Sequence, residues 1–303
     1  MAEPIIKWAG GKRQILDRLT ARLPHQCGYA QYFEPFIGGG AVYFALEPEN
    51  AYISDINRRL INFYHQVEAR PEELIGVISE LVRDHSEELY YQRRDEFNDL
   101  QEDGQCTGDK LREAGLFYYL NQTCFNGLYR ENEYGDFNVP YGRQKTMPSV
   151  EPDTIREAHK LLQSAVIKHQ NYIKIEELVE EDDLVYLDPP YQKLSETANF
   201  SHYHKKGFGS EEQDDLRNLA IRLHKKGAHV VITNSGPAKS LYTADKMPDE
   251  FRIVNITTER TINSDSAHRT GASEILVTNI SPFSDGEDSI IDFRDKEITD
   301  LCT

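Results

Sequence analysis

Cysteine, methionine and tryptophan are scarce in this chain of 303 residues, at four, three and one. Cys27, Cys106, Cys124 and Cys302 form no CxxC pair and keep no regular spacing. That excludes a disulfide framework and argues against a zinc site. Of ten histidines only His202 and His204 sit close together, without further ligands nearby, so no metal is expected. A run of about 18 apolar residues, the minimum for a membrane span, is also missing. MAEPIIKWAGGK at the N-terminus has no charged segment leading into an apolar core. No signal peptide and no membrane partner are expected, and a reducing, cytoplasmic compartment is.

Positive charge is the other shortage. Fifty-one Asp and Glu against 34 Lys and Arg leave a net charge of -17, which on its face argues against a nucleic-acid partner. The distribution weakens that argument. Residues 71–113 net -8, Glu176 to Asp183 net -6, and the tail from Ser281 nets -5, so the rest of the chain is at +2. The first 22 residues carry five bases against two acids. Acidic runs of this kind are expected as solvated faces.

What is present is a set of short apolar runs closed by polar or glycine residues. They are Ala30 to Glu34, Ala51 to Asp55, Ala165 to His169, Leu184 to Asp188, Ala228 to Thr233, Phe251 to Ile256 and Glu274 to Thr278. With helical segments between them, they predict an α/β protein with a mostly parallel sheet. The middle of the chain has helical periodicity at Leu74, Ile75, Ile78, Leu81 and Val82, and again at Leu116, Phe117, Tyr119 and Leu120. Residues 126–141 then read as a β-hairpin or ordered loop. The expected organisation is a domain of residues 1–62 and 165–280, split by a mostly helical insertion at 63–164 and followed by an acidic tail at 281–303.

Three segments carry chemistry. Phe33-Glu-Pro-Phe-Ile-Gly-Gly-Gly40 follows a candidate strand, where glycines let the backbone approach a ligand closely. The third glycine of the dinucleotide fingerprint is missing, but Asp55 follows at the end of the next strand, where an acid binds ribose hydroxyls. Asp188-Pro-Pro-Tyr191 closes the LVYLD run. Its prolines stiffen the turn and keep Asp188 out of helical geometry. An acid, a carbonyl and an aromatic face there suit a planar ring with an exocyclic amine. Lys7-Trp-Ala-Gly-Gly-Lys12 is not a phosphate loop, because Arg13 stands where Ser or Thr is needed.

KWAGGK, FEPFIGGG, SDIN (Ser54 to Asn57), NGLYR with FNVPYG, and DPPY occur here in the order found in Dam-type (class alpha) DNA adenine-N6 methyltransferases. The chain resembles that family over roughly residues 4–280. The resemblance implies a Rossmann-like methyltransferase fold with an inserted target-recognition domain, S-adenosylmethionine as cofactor, and double-stranded DNA as partner, with GATC as the favoured site. It implies cofactor contacts for Trp8, Lys12, Phe36, Gly38, Gly39, Gly40, Asp55 and Asp188. Asp188, Pro189, Pro190 and Tyr191 would form the pocket for a flipped adenine. On the DNA side, Arg130 would contact guanine, Leu128 and Pro140 would pack on thymine methyls, and Lys7 would read the outer base pair. Asn126 would fill the space left by flipping, and Arg143 closes the DNA-facing PYGR run. Gln144 departs from the family, which often has an aromatic wedge there.

The chemistry implied is attack by adenine N6 on a sulfonium methyl, with Asp188 and the Pro189 carbonyl accepting the two N6 hydrogens. Methylation of cytosine N4 or of an RNA base remains open, as does a non-catalytic acidic protein that mimics DNA. The intact Asp188, Tyr191, Lys12 and Asp55 argue against mimicry. Restriction-companion, housekeeping and viral roles are equally compatible, so a companion restriction endonuclease is one partner the resemblance allows.

Overall fold

The computed structural model describes residues 2–12, 15–24, 28–102, 105–143, 151–190, 208–257 and 273–280. Tyr191, Gln144, Cys27, Cys302, the segments 195–207 and 263–271 and the acidic tail lie outside the described residues. Seven strands form one mixed sheet: β1 (Tyr32–Glu34), β2 (Ala51–Asp55), β5 (Ala165–His169), β6 (Leu184–Leu187), β7 (His229–Ser235), β8 (Arg252–Thr257) and β9 (Ser273–Thr278). Their order is β5-β2-β1-β6-β7-β9-β8. Two-residue strands β3 (Gln101–Glu102) and β4 (Gln105–Cys106) pair separately. Each of the seven apolar runs is a strand, with boundaries shifted by two residues at most.

The described residues divide into two compact units. One holds residues 2–11 and 36–172. In it β2 and β5 pair in parallel, Ala51 opposite Ala165 and Asp55 opposite His169. Its α-helices are α2 (Ala41–Leu46), α3 (Arg58–Ala69), α4 (Pro71–Arg83), α5 (Glu87–Asp99), α6 (Lys110–Thr123) and α7 (Pro152–Leu162). Leu74, Ile75, Ile78 and Leu81 form the buried stripe of α4, as their spacing requires. α6 is buried on all sides, because α3, α4 and α5 all pack on it. Hence its apolar residues do not keep to one face.

The other unit holds residues 12–35, 173–190 and 208–280 within the described set. β6 pairs in parallel with β1 on one side and β7 on the other, and its four residues LVYL are all buried. This is the burial expected for a central parallel strand. β9 then pairs antiparallel with both β7 and β8. This unit also holds α1 (Leu16–Thr20) and α8 (Ser210–Lys225), and α8 packs on β7.

Some of the surface acid is ion-paired. Glu72 bonds Arg156, Glu80 and Glu96 bond Arg112, and Glu176 bonds Arg222. Asp183 departs from the expected solvated face: it is buried and accepts the backbone N–H of Gln31 and of Glu180. Burial raises its pKa above the ordinary aspartate value despite those bonds. Among the described residues no helix is long and apolar enough to cross a membrane.

Candidate active site and nucleic-acid interface

Asp188 follows the last residue of β6, at the carboxyl end of a parallel strand, where open α/β sheets place ligands. Its Oδ1 receives two side-chain partners: Lys12 Nζ at 2.7 Å and Thr233 Oγ1 at 2.9 Å. Tyr186 and Thr233 hydroxyls lie 2.9 Å apart. Thr233 spends its single hydroxyl hydrogen on Asp188, so Tyr186 donates to Thr233. The double-proline turn is held separately. Gln213 Nε2 of α8 donates to the Pro190 carbonyl at 3.4 Å, and Gln213 Oε1 accepts from Asn234 Nδ2, which also donates to Tyr242 Oη. Thr233, Tyr186, Gln213, Asn234 and Tyr242 were not singled out by the sequence, since each lies in an ordinary strand, helix or loop without a motif.

The glycine segment lies in the other unit. Gly38 and Gly40 have φ of +45° and +70°, conformations that residues with a Cβ rarely adopt. A Cβ on Gly38 would stand 2.5 Å from Cδ1 of Trp8, so the absent side chain is what lets the indole lie on this turn. The Trp8 ring stacks in turn on Tyr129, with centroids 5.8 Å apart. Asp55 anchors the turn: Oδ2 accepts the Gly38 N–H at 3.1 Å, and Oδ1 accepts the Asn57 N–H at 2.9 Å. Phe36 stacks on Tyr172 at 5.0 Å, and the exposed Ile56 stands directly after Asp55.

Lys7 and residues 126–143, which the resemblance assigns to DNA, all belong to that first unit. Asn121 makes the junction: its Oδ1 accepts the Lys7 N–H, and its Nδ2 donates to the Lys7 carbonyl and to the Gly127 carbonyl. Asn126 sits at φ +55° and is exposed, as are Lys7, Pro140 and Arg143, while Leu128 and Arg130 are half-buried. The segment 124–142 returns on itself through the antiparallel bridges Cys124 to Tyr141 and Glu131 to Phe137. The Phe125 N–H reaches the Pro140 carbonyl. These isolated bridges, rather than a continuous ladder, make the hairpin. Phe125 is 47% exposed beside Asn126, a conspicuous aromatic that the motif spacing did not mark. His85 ties the hairpin base to α6, with Nδ1 2.7 Å from Tyr119 Oη and Nε2 3.0 Å from Tyr141 Oη. Among the described residues no group of three or more His, Cys, Asp or Glu could hold a metal ion.

A seven-stranded α/β sheet with an acid-Pro-Pro turn after β6 and a glycine turn anchored by the acid ending β2 fits a methyltransferase fold. The family model for D12 class N6 adenine-specific DNA methyltransferases matches residues 8–262, and the chain belongs to that family. It is 38% identical to the type II methyltransferase M1.LlaDCHI of Lactococcus lactis subsp. cremoris over 278 residues, covering 91% of this chain and 95% of the relative. It is 36% identical to type II methyltransferase M.MjaIII of Methanocaldococcus jannaschii, covering 91% and 99%. Against the DNA adenine methylase of Escherichia coli K12 the identity is 35%, over 89% and 93%. The chain is thus an adenine-specific DNA methyltransferase, with DNA as its substrate.

Proposed function

We propose that this enzyme transfers the methyl group of S-adenosylmethionine to N6 of a flipped adenine within GATC in duplex DNA. The observation that carries the reading is the bonding of Asp188, whose two side-chain partners both fall on Oδ1. Oδ2 is then the oxygen that accepts one N6 hydrogen, and the Pro189 carbonyl accepts the other. Drawing on both hydrogens localises the N6 lone pair, and the carboxylate offsets the positive charge that develops on nitrogen. Tyr191 supplies the face on which the extruded base stacks.

The cofactor brings a methyl group activated by a sulfonium. Its fit rests on the turn itself: Gly38 has a φ of +45° and no Cβ, so Trp8 lies close on it, and the Asp55 carboxylate anchors that turn at the end of β2, where acids of this fold class meet ribose hydroxyls. Trp8 and Phe36 line this turn, and Lys12 serves through Asp188. On the DNA side, Arg130 reads guanine by its O6 and N7, Leu128 and Pro140 meet thymine methyls, and Lys7 reaches the outer pair. Asn126 fills the space the flipped base leaves, and Arg143 serves the same face. Residues 63–164 act as the target-recognition insertion in a catalytic domain of 1–62 and 165–280. The enzyme works on cytoplasmic DNA, and the type II names of two relatives make a companion restriction endonuclease the partner to seek.

Methyl-labelled S-adenosylmethionine offered with short duplexes tests this reading. Label should enter the GATC duplex as N6-methyldeoxyadenosine and drop sharply when any one base pair of the site is changed. Equal labelling of all the duplexes, or label on cytosine, would contradict it.

A further inference from the structure

We propose that Asn138 is the positioning residue of the guanine reader, fixing Arg130 by one edge so that the opposite edge meets the base. This rests on Arg130 reading guanine. Arg130 Nε donates to Asn138 Oδ1 at 2.6 Å, and Nη2 donates to the main-chain carbonyl of the same residue at 3.3 Å. The Asn138 N–H returns a bond to the Arg130 carbonyl at 3.0 Å, so backbone and side chain are registered together.

The edge used is the informative point. Nε–H and the neighbouring Nη2–H form the side of the guanidinium fork, and that side is turned to Asn138. The end of the fork, Nη1 with the second hydrogen of Nη2, is the pair whose spacing matches guanine O6 and N7. A long arginine otherwise surrenders much rotamer freedom on binding, and Asn138 removes that freedom beforehand. An amide also accepts the Nε bond without placing negative charge on a face that approaches phosphates.

Asn138 is itself held by its neighbours. Phe137 and Val139 on either side are each 2% exposed. Asn98 of α5 accepts the Phe137 N–H at 2.9 Å and donates to the Phe137 carbonyl at 3.1 Å, while Tyr90 Oη donates to the Val139 carbonyl at 2.8 Å. Helix α5 therefore sets the segment, the segment sets Asn138, and Asn138 sets the arginine.

The test compares kcat/KM on a GATC duplex with that on a duplex whose site guanines are 7-deazaguanine, which lacks the N7 acceptor. Wild type should show a clear penalty for the analogue. Asn138→Ala should lose about tenfold on the natural duplex and most of that penalty. In an Arg130→Ala background it should change neither. Asn138→Asp keeps both acceptors and should keep the penalty, whatever its effect on overall affinity. If Asn138→Ala melts below the assay temperature, Asn138→Ser reads the same ratio. Equal losses on both duplexes with the penalty intact would assign Asn138 to phosphate contact or folding and overturn the proposal, as would loss of the penalty in Asn138→Asp. If Arg130→Ala loses the penalty while Asn138→Ala keeps it, only the positioning role falls. If Arg130→Ala keeps it, the guanine reading falls first.

Discussion

Lys12 Nζ lies 2.7 Å from Asp188 Oδ1, with the lysine side chain only 2% exposed and the aspartate 20%. A buried ammonium beside the carboxylate just past β6 fixes which oxygen faces away from it. Asp188→Ala should lower turnover by about 10³, the scale for losing a charge-stabilising group at the reacting atoms, while S-adenosylmethionine still binds. Steady-state methylation and calorimetric titration of the variant check the two halves. Turnover within a few-fold of wild type would remove Asp188 from the chemistry.

Thr233 donates to the same oxygen and is backed by Tyr186. Thr233→Val keeps the shape and removes the donor, so kcat should fall about tenfold with KM for DNA little changed. Tyr186→Phe, one bond further back, should fall less. An effect on KM alone would place Thr233 in folding or DNA binding instead.

Trp8 is the chain's single tryptophan, and its indole lies against Gly38. Intrinsic fluorescence therefore reports on the glycine turn directly. S-adenosylmethionine should shift the emission in a saturable way. In Gly38→Ala the affinity should fall by about tenfold, since φ is +45° and the new methyl meets the ring. Saturable binding without any change in Trp8 emission would detach the cofactor from this turn.

Strands β1, β2, β6, β7 and β9 were legible because their apolar runs are largely buried, whereas β5 and β8 are mostly half-buried or exposed and were marked by residue type and their closing residues. The 3.6-residue periodicity of α4 was likewise in the sequence, whereas the burial of α6 on all sides, polar residues included, follows only from the helices packed around it. FEPFIGGG, SDIN and DPP are local, so their turns could be read from residue types alone. The Lys12–Asp188 pair could not be read, because it joins residues far apart in the chain and nothing local marks Lys12 as facing an acid. Thr233 and Gln213 are ordinary polar residues until the sheet and α8 bring them to the turn. The antiparallel insertion of β9 between β7 and β8 is a matter of strand order, which periodicity does not encode.

His85 links α6 to the hairpin through Tyr119 and Tyr141, and burial together with Arg93 lowers its pKa below the ordinary histidine value. The folded protein thus binds that proton more weakly than the unfolded chain. The stability that depends on neutral His85 is complete above about pH 6.5 and is lost as pH falls through that value toward the folded pKa. Wild type should melt lower at about pH 5.5 than at about pH 7.5, and His85→Gln should show a smaller difference. Identical pH dependence in the two proteins would rule His85 out as the cause.

Mapping modified bases in a plasmid, from a host without adenine methylation of its own that expresses this chain, tests the central claim most directly. The account predicts N6-methyladenine at GATC throughout the plasmid and none in the Asp188→Ala control. Methyladenine confined to other sequences, methylation of cytosine, or methyladenine surviving in the Asp188→Ala plasmid would contradict it.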